Sequence, residues 1–138
     1  MRILHFVVPL IAITSAIASP LLDLKAIAGK SQKEVQAVLG APDATEKTKY
    51  GPKLNYKGDT IEVVFIQGKA DWITFTPKEI VPFTKDSLSV LGLPPKEPTF
   101  SNANVIRWEP SGSFVSVSMF PGASPNRLDY FYVKIATK

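Results

Sequence analysis

The sequence predicts an α+β fold made of two tandem helix-plus-three-strand antiparallel units, with the helices packed on one sheet face. Three observations lead there. Val38-Leu39-Gly40-Ala41-Pro42 recurs as Val90-Leu91-Gly92-Leu93-Pro94, 52 positions later. Each copy closes a short run with apolar residues at helical spacing, and each is followed by short alternating runs separated by glycine-containing turns. Apolar residues make up 45% and charged residues 20% of the 138 residues, enough to build a packed core.

Residues 1–18 read as a signal peptide. Arg2 supplies a positive start, Ile3 to Ile13 form an apolar run broken only by His5 and Pro9, and Ala16-Ile17-Ala18 offers the small residues a signal peptidase needs. The run falls short of the roughly 20 apolar residues of a membrane-spanning helix, so no transmembrane segment is expected after cleavage. A retained N-terminal anchor is the alternative. No cysteine stands near the cleavage site to carry a lipid. Loss of Arg2 lowers the formal charge from +4 to +3, and loss of His5 removes the one histidine. The mature chain, 19–138, then has neither Cys nor His. Nucleophilic triads and zinc sites built on those residues are excluded, no cofactor is expected, and the expected location is periplasmic or secreted.

The first unit, 19–80, begins with a turn containing Leu22, Leu24 and Ile27. Ser31 then precedes Glu34 by three, the capping-box spacing, and Val35, Val38 and Leu39 follow on one expected helix face. Gly40 ends this helix and Pro42 prevents its resumption. Strands are expected at Leu54 to Lys57, Thr60 to Ile66 and Trp72 to Thr76, with turns at Lys57-Gly58-Asp59 and Gln67-Gly68-Lys69. Pro77 to Pro82 links the units.

The second unit, 81–138, opens its helix at Thr84 and Asp86, with Leu88 and Leu91 facing inward and Gly92 and Pro94 closing it. Its strands are expected at Val105 to Glu109, Phe114 to Phe120 and Leu128 to Ile135. The displacement of 52 also relates Leu54 to Ile106, Tyr56 to Trp108, Val63 to Val115 and Phe65 to Val117, while Asp71 to Phe75 match Asp129 to Val133 at 58. The six extra residues are placed in Pro121 to Asn126. Together the units are expected to form one compact domain, stacked so that their sheets make one continuous or near-continuous antiparallel surface.

Gly29-Lys30-Ser31, Glu34-Val35, Leu39-Gly40 and Pro42, followed by a basic stretch and strands, resemble the SmpA/OmlA (BamE-like) superfamily of small exported bacterial proteins. The duplication extends the resemblance to the β-lactamase inhibitor protein fold, two helix-and-sheet units in tandem. This chain departs from both by lacking a lipobox cysteine and any disulfide. The resemblance implies a binding or scaffolding protein rather than an enzyme.

Strand alternation indicates where binding occurs. Ile73 and Phe75 share one face, as do Phe131, Val133 and Ile135. The other face takes Trp72, Thr74 and Thr76 together with Leu128, Tyr130, Tyr132 and Lys134. If helices cover the aliphatic face, Trp72, Tyr130 and Tyr132 form an open binding surface rimmed by Arg107 and Lys134; the alternative buries these aromatics in a second small core or beneath loops between the units. A protein partner is expected, in the manner of an assembly factor or inhibitor, with envelope lipid or polysaccharide as the alternative. Lys47, Lys49, Lys53 and Lys57 read as a lysine-protected hairpin edge, so no nucleic acid is expected. Tyr56 and Trp108 read as structural. Asp71 and Asp129 are the carboxylates that tempt an acid–base reading, against turn hydrogen bonding.

Overall fold

A computed structural model describes residues 19–137. The expected signal peptide, 1–18, lies outside them. Two helices, α1 (Leu24–Ile27) and α2 (Gln32–Leu39), precede strands β1 (Ala44–Lys47), β2 (Pro52–Tyr56), β3 (Ile61–Ile66) and β4 (Lys69–Phe75). A 3₁₀ helix (Lys85–Leu91) then leads to β5 (Phe100–Ser101), β6 (Ile106–Trp108), β7 (Ser116–Pro121) and β8 (Leu128–Lys134).

These strands form one antiparallel eight-stranded sheet in the order β1-β2-β3-β4-β8-β7-β6-β5. That corrects the expected fold of two tandem helix-plus-three-strand units. β4 pairs directly with β8, from Trp72 with Lys134 to Phe75 with Phe131, so the middle of the sheet has no seam. The single displacement of 52 also fails. Tyr56 pairs with Ile61 and Trp108 with Val117, so the sheet sets Val117, 56 positions on, against Ile61 rather than setting Val115 against Val63. Part of the extra length therefore sits between β6 and β7, not all of it in Pro121 to Asn126. The outer strands β1 and β5 escape sequence reading because every residue in both is exposed and neither alternates apolar with polar.

Local chemistry explains the helices. Ser31 accepts from the Glu34 amide at 3.2 Å while the Glu34 carboxylate accepts from the Ser31 amide at 3.3 Å, which closes the capping box. Val35 and Leu39 are buried as expected, whereas Val38 stays 47% exposed because the helix offers the sheet only its i, i+4 stripe. The second expected helix is 3₁₀. Its three residues per turn align Leu88 and Leu91, 2% and 0% exposed, on one inward line. Ser87 and Ser89 side chains donate to the Pro82 and Asp86 carbonyls, competing with a regular α pattern.

Register builds the core from two rows across the sheet: Leu54, Val63, Ile73, Val133, Val117, Trp108, and Tyr56, Ile61, Phe75, Phe131, Met119, Ile106. No member is more than 5% exposed. Leu22, Leu24, Ile27, Val35, Leu39, Leu88 and Leu91 join the same cluster, so the helices cover this face. Trp108 donates its indole N–H to the Lys96 carbonyl at 2.8 Å, which ties the loop between the 3₁₀ helix and β5 to the core.

Candidate functional site

The opposite face carries polar and aromatic side chains, and among the described residues no helix lies over them. Its rows follow from the same register: Val64, Trp72, Lys134, Ser116; then Glu62, Thr74, Tyr132, Ser118, Arg107; then Tyr130 with Phe120. Trp72, Tyr130, Tyr132, Arg107 and Lys134, the five residues singled out from sequence, all stand on this face and all are half-buried. Leu128 does not join them. The ladder slips between Phe120 and Pro121, and Leu128, 3% exposed, turns into the core with its amide on the Val81 carbonyl at 2.8 Å.

Trp72 is held from three sides. Its indole N–H donates to the Thr137 hydroxyl at 3.1 Å, the Lys134 ammonium lies 3.7 Å from the ring centroid, and the Tyr50 ring packs at 4.8 Å, tilted by 53°. Tyr50 is the aromatic that sequence reading missed, since it lies in no strand. It reaches the face because the Thr48 hydroxyl accepts from the Tyr50 and Gly51 amides, each at 3.2 Å, and folds the β1–β2 turn over the sheet. Gly51 permits this at φ 153°: a Cβ there would sit 1.9 Å from the Phe65 carbonyl oxygen. At the other end Tyr130 stacks on Phe120 at 4.8 Å and 21°.

The Asp71 carboxylate anchors the C-terminal residues beneath Trp72. It accepts from the Ala136 and Thr137 amides at 2.7 and 3.2 Å and from the Thr137 hydroxyl. Burial pushes its pKa up, but these hydrogen bonds and the Lys134 charge outweigh burial and leave it below the usual carboxylate range. Lys134 is lowered by burial against the opposing pull of Asp71 and Tyr50. Tyr132 is raised by burial first, then by the negative charges of Asp71 and Glu62. Lys53 makes ion pairs with Glu46 at 2.9 Å and Glu62 at 3.6 Å, so its charge is satisfied internally. Arg107 donates through Nε to the Ser118 hydroxyl at 3.1 Å.

Asp71 and Asp129 are not brought together. The Asp71 carbonyl accepts from the Ile135 amide, six residues along from Asp129, which sets the two acids about 20 Å apart at the strand rise. Paired acids in glycoside hydrolysis stand within about 10 Å. A recess of 710 Å³ opens where Lys134 and Ser116 meet the Glu109 to Val115 connection. Among the described residues, no group of three or more His, Cys, Asp or Glu is placed to hold a metal ion, and no helix is long and apolar enough to cross a membrane.

No family model matches the sequence, and no curated protein matches it. A search of solved structures finds the 1.5 Å crystal structure of an extracellular protein containing a SCP domain from Bacillus anthracis str. Ames, at 12% identity and a TM-score of 0.55. The match covers 94% of this chain and 50% of that one. The likeness is one of fold alone and does not bear on the SmpA/OmlA resemblance; this chain spans half the length of that extracellular bacterial protein.

Proposed function

We propose that this chain is an exported, non-enzymatic binding protein that recognises a protein partner through the open sheet face, as an assembly factor or inhibitor does. One observation carries the reading: Trp72, Tyr130, Tyr132, Arg107 and Lys134 share the single sheet face that the helices leave bare. Half-buried Trp, Tyr and Arg side chains are the types that concentrate binding energy at protein interfaces. A protein is favoured over a glycan because the rings are already engaged. Trp72 carries Lys134 and Tyr50, and Tyr130 carries Phe120, so little flat ring surface is left for stacking on a sugar. A periplasmic or secreted location fits the N-terminal pattern of Arg2, the apolar run and Ala16-Ile17-Ala18, and the structural neighbour is itself an extracellular protein.

The test uses the exported chain as bait for envelope and culture-fluid proteins of its host. A partner captured by the native chain and lost with Tyr132→Ala, at unchanged melting temperature, supports the reading. Equal capture by both chains refutes the assigned face.

A further inference from the structure

Arg107 differs from the other cations of the open face. Lys53 is paired with two glutamates, and the Lys134 ammonium lies over the Trp72 ring and 3.4 Å from the Thr137 hydroxyl. Among the described residues no carboxylate lies within ion-pair distance of Arg107, and neither of its terminal nitrogens makes a hydrogen bond. Its Nε is fixed by Ser118, which is 3% exposed. Small residues make this possible. Ser118 sits between Tyr132 on β8 and Arg107 on β6 in one cross-strand row, so the guanidinium can lie across it. A guanidinium held by Nε presents its two terminal NH₂ groups as a planar fork, and part of the entropy of ordering that long side chain is already lost in the free protein.

We infer that Arg107 is a carboxylate receptor on the β6 side of the face, one strand in from its edge, and that the protein partner presents a glutamate or aspartate side chain to it. This rests on the open face being the binding surface and adds the chemistry of the contact. One unpaired guanidinium matches one planar, singly charged carboxylate. A phosphate monoester, carrying nearly two charges, calls for further cations, and Lys134 on the same face is committed elsewhere: it stands two strands and one row away, about 12 Å between backbones from the sheet spacings, and holds its ammonium on Trp72.

The experiment titrates the isotope-labelled chain with two capped peptides, acetyl-Val-Glu-Val-amide and acetyl-Val-Gln-Val-amide, and follows backbone and arginine Nε signals by NMR. The expected result is that the glutamate peptide moves the signals of Arg107, Ser118 and Tyr132, with the glutamine peptide about tenfold weaker. Arg107→Lys, which keeps the charge but not the fork, should weaken the glutamate peptide about tenfold, and Ser118→Ala, which frees Nε, about threefold to fivefold. Shifts of equal size with both peptides, unchanged by Arg107→Lys, leave the face as a binding surface and overturn the carboxylate assignment. Shifts confined to Lys47, Lys49 and Lys57 overturn it too, as nonspecific charge. Should neither peptide move any signal on the face, the assignment and the reading beneath it both fall. Sedimentation with phosphatidylglycerol vesicles that depends on Arg107, without peptide shifts, identifies a lipid phosphate instead and overturns the inference.

Discussion

The two faces of one sheet are built from the same strands and obey different rules. On the helix-covered face, twelve side chains in two rows are at most 5% exposed, and register alone brings them together. On the open face, large side chains are fixed pairwise: Trp72 by Tyr50, Lys134 and Thr137, Tyr130 by Phe120, Arg107 by Ser118. Burial stabilises the first in proportion to area removed from water, whereas local contacts order the second while its rims remain wet. A face arranged in this way keeps its side chains in place through local contacts, and the fold depends on them less than on the covered rows. Mutations on the two faces should therefore separate stability from binding.

The largest effect should come from the covered face. Phe131, 0% exposed on central strand β8 and stacked with Phe75 at 6.0 Å, should cost about 3–5 kcal/mol when changed to alanine. Urea unfolding measures this, and a loss below about 1 kcal/mol would break the contrast between the faces. Next comes Asp71, which links the two. Its carboxylate is 2% exposed and takes three hydrogen bonds from the last residues, so Asp71→Asn should cost about 2 kcal/mol at neutral pH.

The pH dependence of Asp71 has a definite sign. Its folded pKa is lowered, so its stabilisation is present above the unfolded aspartate value of about 4 and is lost as pH falls through the folded value. Unfolding free energy measured from pH 6 down to pH 2 should fall more steeply for the native chain than for Asp71→Asn. Parallel curves would remove Asp71 as the clamp.

Smaller effects sharpen the comparison. Trp72→Ala removes a half-buried ring and its bond to Thr137, and about 1–2 kcal/mol is expected by calorimetry, well below the loss at Phe131. A loss as large as that at Phe131 would mean that this face is a second core. Tyr132→Ala should change stability least, by less than about 1 kcal/mol, while removing partner capture.

Much of the local structure was legible from sequence because it depends on near neighbours. The Ser31 and Glu34 capping box, the Gly40 stop and the turn at Gln67 and Gly68, both with positive φ, follow from side chains within four residues of one another. The face assignment of Trp72, Tyr130, Tyr132 and Lys134 was legible for the same reason, since strand alternation is a local rule. Val38 and Leu128 were misread where that rule meets its surroundings: one helix stripe narrower than three residues, and one slip in the ladder at Pro121.

What the sequence determined by itself was therefore the alternation of each strand, the caps and turns between elements, and the absence of Cys and His from residues 19–138. Tertiary structure alone decided that β4 pairs with β8, that the exposed strands β1 and β5 extend the sheet, and that Tyr50 reaches Trp72 from a turn. It also decided that Asp71 and Asp129 stay apart, and that Arg107 rests on Ser118 with its terminal nitrogens unpaired among the described residues. These are contacts between residues distant in the chain, and their energies depend on which strands lie side by side, a choice made by burial of the whole sheet face rather than by any short stretch of residues.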